Sequence, residues 1–391
     1  MLDLHALSAD LDAFGTYQAE AQARRRRRLA DACAALDACA DRWEAVRDAA
    51  AERGSTPLVA GLREAPDATY AAPGRPTPFT AVATDGSQIY PDRHVEPSCY
   101  LINTSRIAFQ YGTLETPVLE AEADFEYEGC DLAEHSRGAR AGRVSDEIVS
   151  ALRDEQELRA LLETSRRARR KGRPLVALAD GTLIRWMIRG MDDRDLEDEL
   201  IGRYAALLED FRREGLPLAS YVSMPGNAEL INLLGVHLRM NGGEDDEDAL
   251  AGLLDRWLFA ETLAVGERSA TFTSASRIQT RYAEADRICY FYTRVPAGSD
   301  SNDPGEIARV EVPQWVADDA DLLDRAHGLI ISECEKGGGY PMILSEAHER
   351  AVIRAPEKER FYQMIERALR ERGLPPMRRS RKNRSKRTPA V

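Results

Sequence analysis

Two aspartates each follow a short apolar run and precede a glycine. Residues 81–84 lead into Asp85-Gly86-Ser87, and residues 175–179 lead into Asp180-Gly181-Thr182. Glycine lets the backbone turn sharply after a strand, which leaves each aspartate at the carboxyl edge of a sheet, where open sheets bind ligands. Carboxylates at such an edge repel one another unless a cation joins them, and Mg²⁺ and Mn²⁺ prefer oxygen ligands. The repeat predicts a divalent-metal site, against the simpler interpretation of two ordinary Asp-Gly turns.

A two-metal phosphodiester hydrolase needs a third carboxylate, because its acidic side chains bridge and flank ions about 4 Å apart. A long amphipathic helix is predicted over residues 145–168, and it offers Asp154, Glu155 and Glu157. The apolar periodicity favours Glu155, which lies in the middle of the apolar stripe. A buried carboxylate at that position needs a cation or an arginine beside it.

The order of predicted elements defines the fold class. Strands are expected near residues 80–84, 99–109 and 113–119, then the helix over 145–168, then a strand over 174–179. Strand, strand, strand, helix, strand is the opening order of the ribonuclease-H-like fold, whose catalytic carboxylates come from the first strand, the helix and the fourth strand. We therefore predict an α/β protein with a ribonuclease-H-like mixed sheet flanked by helices, preceded by an N-terminal helical extension.

Further along, the pattern predicts short strands and helices in alternation. A helix capped by Asn227 is expected over residues 227–238. The other expected elements are a strand over 218–223, a hairpin over 287–295 and 306–312, and helices over 320–336, 341–354 and 356–372.

The first fifty residues are predicted to be helical, in two pieces separated by Gly15. Residues 29–43 repeat apolar side chains at a 4-3-4-3 spacing, which is typical of a helix that packs against one other helix, within the chain or across a dimer. Residues 24–28 are five consecutive arginines, interpreted first as a solvated collar and second as a DNA or partner contact. The predicted domains are a helical extension over 1–64, which would contact a partner or a second copy of the chain, a ribonuclease-H-like domain over 65–373 and a basic tail over 374–391.

Composition is that of a soluble globular protein. The chain has 391 residues, of which 43% are hydrophobic and 30% charged. No segment reaches the roughly 20 uncharged apolar residues of a membrane span, and the N-terminus lacks the pattern of a signal peptide. A cytoplasmic location is therefore expected. The six cysteines form no Cys-x-x-Cys pair and the six histidines no His-x-x-x-His pair, so neither a zinc site nor a disulfide framework is indicated.

Charge is strongly segregated along the sequence. The net charge is −13, yet residues 378–387 contain seven basic side chains and no acidic one. A segment of this kind attaches to a polyanion or to an acidic protein surface, or only keeps the protein soluble. Residues 242–248 form the opposite extreme, a strongly acidic predicted loop.

Four motifs in order resemble a known nuclease family. They are Asp85-Gly-Ser after a strand, Glu157-Leu-x-x-Leu on the long helix, Asp180-Gly-Thr-Leu after the next strand, and Tyr340-Pro-x-x-Leu-x-x-Ala-His348. Together they resemble the NurA nucleases over residues 78–355. The resemblance implies that Asp85, Glu157 and Asp180 bind metal and catalyse, with Tyr340 and His348 completing the site and His348 as a further metal ligand. It ranks Glu157 above Glu155, which periodicity favours, so both stay open as the helix ligand.

The resemblance also implies an activity and partners. It implies a Mn²⁺-dependent DNA nuclease, with Mg²⁺ as an alternative and two ions expected, that acts as a 5′ to 3′ exonuclease on single- and double-stranded DNA and as an endonuclease on single strands. The partners implied are DNA, a second copy of the chain in a homodimer, and a HerA-type hexameric DNA-translocating ATPase. The implied role is DNA end processing in recombination and repair, or phage defence.

The residues leave several alternatives open. His348 could bind a metal or protonate a leaving oxygen, and Tyr340 could position a phosphate or stack on a base, although a core histidine and a packing tyrosine are the simpler interpretations. At the level of function, the alternatives are a non-catalytic regulatory or loading subunit of an ATPase and a ribonuclease-H-like enzyme with another specificity, such as a structure-specific endonuclease. A serine hydrolase built on Ser87 is disfavoured, because no Gly-x-Ser-x-Gly surrounds it.

Overall fold

The chain folds into two compact units. The computed structural model describes residues 8–53, 58–74, 77–91, 98–127, 144–185, 188, 191, 193–240, 250–298 and 304–375. The first unit comprises Met1–Ala72, Val222–Arg277 and Ile288–Glu311, and the second comprises Pro73–Tyr221, Ile278–Arg287 and Val312–Val391. The strongly charged segments at residues 242–248 and 378–387 lie outside the described residues.

The first unit combines the N-terminal helices with short antiparallel strands. Its elements, numbered in chain order through the whole protein, are α1 (Ser8–Ala40), α2 (Trp43–Arg53), β1 (Ala60–Leu62), β2 (Thr69–Tyr70), α5 (Glu229–Met240), α6 (Asp255–Thr262), β9 (Arg268–Ser269), β10 (Phe272–Ser274), β11 (Ile288–Arg294) and β12 (Ile307–Pro313). Strands β1, β10, β11 and β12 are neighbours in that order, and β9 pairs with both β11 and β2. Apolar side chains from α1, α5 and α6 form one core with these strands.

Helix α1 has two different halves. Leu29 and Leu36 are buried in the core of the first unit, so the predicted helix contact is made within the chain. Leu11 is 61% exposed. The interruption predicted at Gly15 is wrong, because α1 is continuous from Ser8 to Ala40. One glycine in a long helix costs only about 1 kcal/mol, which the rest of the helix offsets.

The second unit is built on a mixed sheet. Its elements are β3 (Phe79–Thr84), β4 (Gly86–Ile89), β5 (Cys99–Tyr111), β6 (Val118–Tyr127), α3 (Asp146–Ala168), β7 (Leu175–Asp180), α4 (Arg194–Glu214), β8 (Leu218–Val222), α7 (Gln314–Ala317), α8 (Ala320–Lys336), α9 (Met342–Ala351) and α10 (Ala355–Glu371). The strand order is β8, β7, β3, β5, β4, with β6 paired to β5. Strands β3, β7 and β8 are parallel, whereas β5 runs antiparallel to β3, β4 and β6.

Helices cover both faces of this sheet. Gly86 faces α3, and the next residue, Ser87, is hydrogen-bonded to the end of α9. Because successive residues of a strand point to opposite faces, α3 and α9 lie on opposite sides. Helix α3 begins where the sequence predicts, since the Ser145 hydroxyl accepts a hydrogen bond from the Ile148 N–H. The predicted α/β fold, with a ribonuclease-H-like mixed sheet between helices, is confirmed.

Three local predictions differ from the structure. The third strand, expected over 113–119, spans Val118–Tyr127, because the Thr113 hydroxyl closes a turn with Gln110 and Glu115. Strand β4 directly after Asp85 was not predicted. Helix α5 begins at Glu229 rather than at Asn227, and its first N–H groups are bound by the Asp255 carboxylate. In the described ranges no helix is both long and apolar enough to cross a bilayer.

Candidate active site

Asp85 and Asp180 lie together at one edge of the sheet. Strands β3 and β7 are parallel and in register, with Thr84 beside Ala179, so the two aspartates that follow these positions come out side by side. Their proximity has an electrostatic effect: partial removal from water and the neighbouring Asp85 charge raise the pKa of Asp180. The predicted convergence of the two Asp-Gly segments is therefore present.

Each aspartate is bonded to one side chain from the segment around α9. The His348 Nδ1 atom lies 2.9 Å from Asp85 Oδ2. The Tyr340 hydroxyl donates a hydrogen bond of 3.3 Å to Asp180 Oδ1, and its ring packs edge-on against Tyr221 with 5.4 Å between the ring centroids. The His348 side chain is 61% exposed, so it is not a buried core histidine. Both residues reach the aspartates from 160 or more positions away in the chain.

Helix α9 is held at both of its ends. At its start, the fully buried Glu333 accepts a 3.1 Å hydrogen bond from the Ile343 N–H through Oε2, while Lys336 binds Oε1 at 3.2 Å. At its end, the Ala351 carbonyl accepts hydrogen bonds from the Ser87 hydroxyl and from Asn103 Nδ2. Ser87 is thus a tether for α9, which gives it a role other than that of a nucleophile.

Glu157 approaches the sheet at Gly86. A Cβ atom on Gly86 would lie 2.6 Å from Glu157 Oε1 and 2.8 Å from Arg153 Cγ, so a larger residue there would displace these two side chains of α3. The Thr84 hydroxyl also donates a 2.9 Å hydrogen bond to the Glu157 carbonyl, which fixes this turn of α3 against the end of β3. The glycine of the first Asp-Gly pair therefore positions the third carboxylate.

The charges around Glu157 form a chain of alternating sign. Arg153 Nε lies 3.1 Å from Glu157 Oε1, and Asp154 lies between Arg153 and Arg185 at 3.0 and 3.1 Å. Burial raises the pKa of Glu157 to about 8; Arg153 and Arg185 oppose the rise, and the charges of Asp154 and Asp85 add to it. A carboxyl group in this position gains from an additional cation.

Glu155 lies in a different environment on the same helix. It is 6% exposed, and its two oxygens are bound by Arg159 and Arg203, each at 2.6 Å. The apolar periodicity correctly predicted that Glu155 is buried. Two arginines, rather than one, compensate the charge of its carboxylate. The structure brings Asp85, Glu157, Asp180, Tyr340 and His348 to one end of the sheet and places Glu155 among arginines.

The donor set suits a hard divalent cation. Asp85 and Asp180 supply carboxylate oxygens, Glu157 adds a third, and a cation would offset the mutual repulsion of these groups. In the described part of the chain, however, no three His, Cys, Asp or Glu side chains are close enough to form a preformed metal cage. The side chains that do approach one another are already engaged, Glu157 with Arg153 and Asp85 with His348.

Several contributors were not predicted from the sequence. Arg153 lies four residues before Glu157, which on a helix is the spacing of an ion pair, and this is the one local signal that could have marked it. Glu333, Asn103 and Arg185 have no such signal, because their partners lie far along the chain or in another element.

Comparison with known proteins gives the family and the fold of the chain. The NurA domain model matches residues 79–353. The crystal structure of the NurA nuclease from Sulfolobus solfataricus superposes with a TM-score of 0.51 at 14% identity, covering 78% of this chain and 87% of that one. LC9-RNase H1, a type 1 RNase H with the type 2 active-site motif, matches with a TM-score of only 0.21 at 15% identity over 41% of this chain and 71% of its own. No curated protein matches the sequence. The domain match spans well over half of the chain, and the chain therefore belongs to the NurA family of nucleases.

Proposed function

We propose that this chain is a metal-dependent deoxyribonuclease whose active site is formed by Asp85, Glu157, Asp180, Tyr340 and His348. The observation that carries the proposal is that both strand-end aspartates meet at one edge and that each is hydrogen-bonded by one end of the Tyr340 to His348 segment. A strand-end carboxyl group whose pKa is raised by burial and by a neighbouring carboxylate, as that of Asp180 is by Asp85, is typical of catalytic sites.

Each residue has a distinct proposed role. Asp85, Asp180 and Glu157 would hold Mn²⁺ or Mg²⁺, most simply as two ions, and Glu155 is the less favoured helix ligand because two arginines bind it. When bound, the ions would activate water and stabilise the leaving oxygen. His348 would orient Asp85 and pass a proton to the leaving oxygen, or act as a further ligand. Tyr340 would orient Asp180 and contact a phosphate.

Arg153 compensates the charge of Glu157 before a metal binds. Its guanidinium contacts Glu157 and Asp154 and donates to the Gln88 side chain at 3.1 Å. In this proposal, Glu157 would hold a divalent cation together with Asp85 and Asp180, and Arg153 compensates the half-buried carboxylate in the free protein.

The wider function follows family membership. We propose 5′ to 3′ exonuclease activity on single- and double-stranded DNA and endonuclease activity on single strands, performed in the cytoplasm by a homodimer together with a HerA-type hexameric ATPase, in DNA end processing or phage defence. The nuclease domain would span residues 65–373, with residues 1–64 and 374–391 as partner-binding extensions.

The test is cleavage of 5′- and 3′-labelled single- and double-stranded DNA with Mn²⁺, Mg²⁺ or EDTA. Asp85→Asn and Asp180→Asn should each reduce cleavage at least 1,000-fold, about 4 kcal/mol in the barrier. Glu335→Gln, which neutralises an exposed acid on α8, is the matched control and should cleave normally. Mn²⁺ binding measured by calorimetry gives a readout besides activity, and both aspartate variants should bind Mn²⁺ more weakly.

The outcomes separate the alternatives. The order in which the 5′ and 3′ labels are lost gives the direction of cleavage. A preference for RNA strands or for branched DNA would indicate a ribonuclease-H-like enzyme of different specificity. Cleavage that survives EDTA would overturn the metal proposal. If the wild type cleaves nothing, alone or with its ATPase, the chain is a regulatory or loading subunit.

The identity of the helix ligand has its own test. Glu157→Gln should abolish cleavage and weaken Mn²⁺ binding while the protein stays folded. Glu155→Gln should instead lower the unfolding free energy by about 2 kcal/mol, since two arginines lose a shared partner, with little change in activity per folded molecule. The reverse pattern would make Glu155 the ligand.

A further inference from the structure

Strand β6 carries four acidic side chains on one face. Glu120, Glu122, Asp124 and Glu126 alternate with apolar residues, and because side chains alternate along a strand, all four point to the same side. Arg167 binds Glu120 and Arg106 binds Glu122. Across the described residues, Asp124 and Glu126 form no ion pair. We call these four residues the acidic face of β6.

The position of β6 explains part of this charge. Within the described ranges β6 pairs only with β5, so its other side is an edge. Charged side chains on an edge strand discourage pairing with other chains. Charged side chains on either face of β6 would discourage such pairing. The acidic side chains, however, are confined to the face toward α3, as the ion pair between Glu120 and Arg167 of α3 shows.

A cavity of about 380 Å³ opens on the same face, between β5, β6, α3 and α4. All three arginines in its lining already have carboxylate partners: Arg106 binds Glu163, and Arg159 and Arg203 bind Glu155. Two lining oxygens, Thr104 Oγ1 and Gln156 Oε1, are buried and have no hydrogen-bond partner among the described residues, and Thr104 is only 3% exposed.

The lining groups that have no partner indicate which kind of ligand the cavity could bind. The lining offers an amide oxygen, a hydroxyl and the unpaired Asp124 carboxylate, whereas its cationic donors are in use. Partial burial and the adjacent charges of Glu122 and Glu126 also raise the pKa of Asp124, against the opposing charge of Arg106, so a further positive charge would be favourable. A cationic hydrogen-bond donor, such as a guanidinium or an ammonium group, fits this lining.

A basic segment of the same chain follows helix α10, which packs close to β6. Helix α10 packs on the β5–β6 pair: Phe361 contacts Phe125 with 5.5 Å between ring centroids, and Leu369 near the helix end packs in the same cluster as Leu101. Residues 376–391 follow and contain seven arginines and lysines without an acid. At about 3.3 Å per residue they can extend roughly 50 Å, enough to pass round the β6 edge to the other face.

We propose that the acidic face of β6 and the cavity beside it bind residues 378–387 of the same chain, with one arginine or lysine side chain entering the cavity. Charge complementarity, the reach of the segment and the unmatched buried oxygens all favour this occupant. The inference does not rest on the proposed nuclease activity, so either can fail without the other.

The first experiment measures binding in trans, using the full chain with its seven basic tail residues changed to glutamine. The probe is a fluorescent peptide of residues 376–391. We expect salt-sensitive binding that weakens at least tenfold between 50 and 500 mM NaCl, and at least tenfold weaker binding to the wild type, whose own tail competes. Absence of binding to the tail-neutral chain would overturn the proposal.

Matched variants locate the binding surface. Asp124→Asn with Glu126→Gln in the tail-neutral chain should weaken peptide binding at least tenfold. Asp31→Asn with Asp37→Asn removes the same charge from exposed positions of α1 and should change binding less than twofold. Equal weakening by the two pairs would mean that only net charge matters, and the acidic face would then not be the site. Thermal melting checks that all variants fold.

A second measurement shows whether the segment binds its own chain. The rate of trypsin cleavage within residues 378–387 of the wild type should rise at least fivefold in the Asp124→Asn, Glu126→Gln variant. The protection should be independent of protein concentration. Protection that increases with concentration would overturn the proposal in favour of binding between two copies.

Discussion

The two Asp-Gly turns share a sequence pattern but differ in the reason for the glycine. Gly181 has a φ of +73° and open space where a Cβ would lie. Gly86 has no such backbone requirement, yet a Cβ there would collide with Glu157 and Arg153 of α3. In the first turn glycine makes room for another element, and in the second it permits a left-handed conformation.

The difference shows which turn organises the site. At the first turn, the strand end, α3 and α9 meet, since Asp85 bonds His348 and Gly86 admits Glu157. At the second turn, Tyr340 is the only side chain among the described residues that is hydrogen-bonded to the Asp180 carboxylate. We therefore expect substitutions around Asp85 to have larger effects than matched substitutions around Asp180.

His348→Ala should produce the largest effect in this comparison. It removes the group that bonds Asp85 and the proposed proton donor, so single-turnover cleavage should fall about 10² to 10³-fold. The exposed side chain contributes little packing, and thermal stability should stay close to that of the wild type. Cleavage within threefold of the wild type would remove His348 from the mechanism.

Gly86→Ala should be the next most damaging change. The new methyl group displaces Glu157, and a misplacement of about 1 Å can cost 10²-fold in rate. Overpacking should also lower the unfolding free energy by about 1–3 kcal/mol. Denaturant unfolding and cleavage assays measure the two effects. Adding Glu157→Asp, which removes one of the two clashes, should restore part of the lost stability but not activity; no recovery would show that the clash with Glu157 is not the cause.

Glu333→Gln should weaken the position of α9 and, through it, the contact between His348 and Asp85. Glutamine can still accept the Ile343 N–H but loses the charge opposite Lys336, so we expect a loss of about 1–2 kcal/mol in stability and about tenfold in activity. Lys336→Met removes the other member of the pair. If both variants cleave DNA as fast as the wild type, the start of α9 does not position His348.

Tyr340→Phe should have a smaller effect, because it removes one 3.3 Å hydrogen bond to Asp180 and keeps the ring against Tyr221. A three- to tenfold loss of kcat is expected, about 1 kcal/mol. Steady-state kinetics on single-stranded DNA measure it. A loss as large as that of His348→Ala would make the two turns equivalent and contradict the comparison.

Gly181→Ala should have the smallest effect. A left-handed conformation costs alanine about 1–2 kcal/mol in stability, with no clash to move the site, so activity should stay within threefold. Gly181→Asn should recover about half of the lost stability, since asparagine adopts positive φ more readily. Equal destabilisation by both variants, measured by urea unfolding, would point to a steric cause instead.

The local sequence pattern was sufficient to predict the strands that lead to Asp85 and Asp180, because alternation of side chains and turn chemistry act over a few residues. It also predicted that Glu155 is buried, but periodicity reports only which side of a helix faces inward. Whether a buried carboxylate meets arginines or other carboxylates depends on Arg203 of α4 and on Gly86 of the sheet, which are distant in sequence.

The parts that could not be predicted are contacts between distant segments. The Ser87 to Ala351 hydrogen bond joins positions 264 residues apart, and Asn103 reaches the same carbonyl. No spacing rule links such residues. Only the four motifs taken together, through their resemblance to NurA nucleases, indicated that Tyr340 and His348 belong with the aspartates.

The long separation between Asp85 and His348 has a consequence for the time at which the protein becomes active during synthesis. Their contact spans 263 positions, and Tyr340 reaches Asp180 across 160. A nascent chain that has reached the end of α8 already contains all three carboxylates but neither of these partners. The proposed site is therefore assembled only after residue 348 has been translated, and a polypeptide that ends before Tyr340 carries the three carboxylates without these two partners.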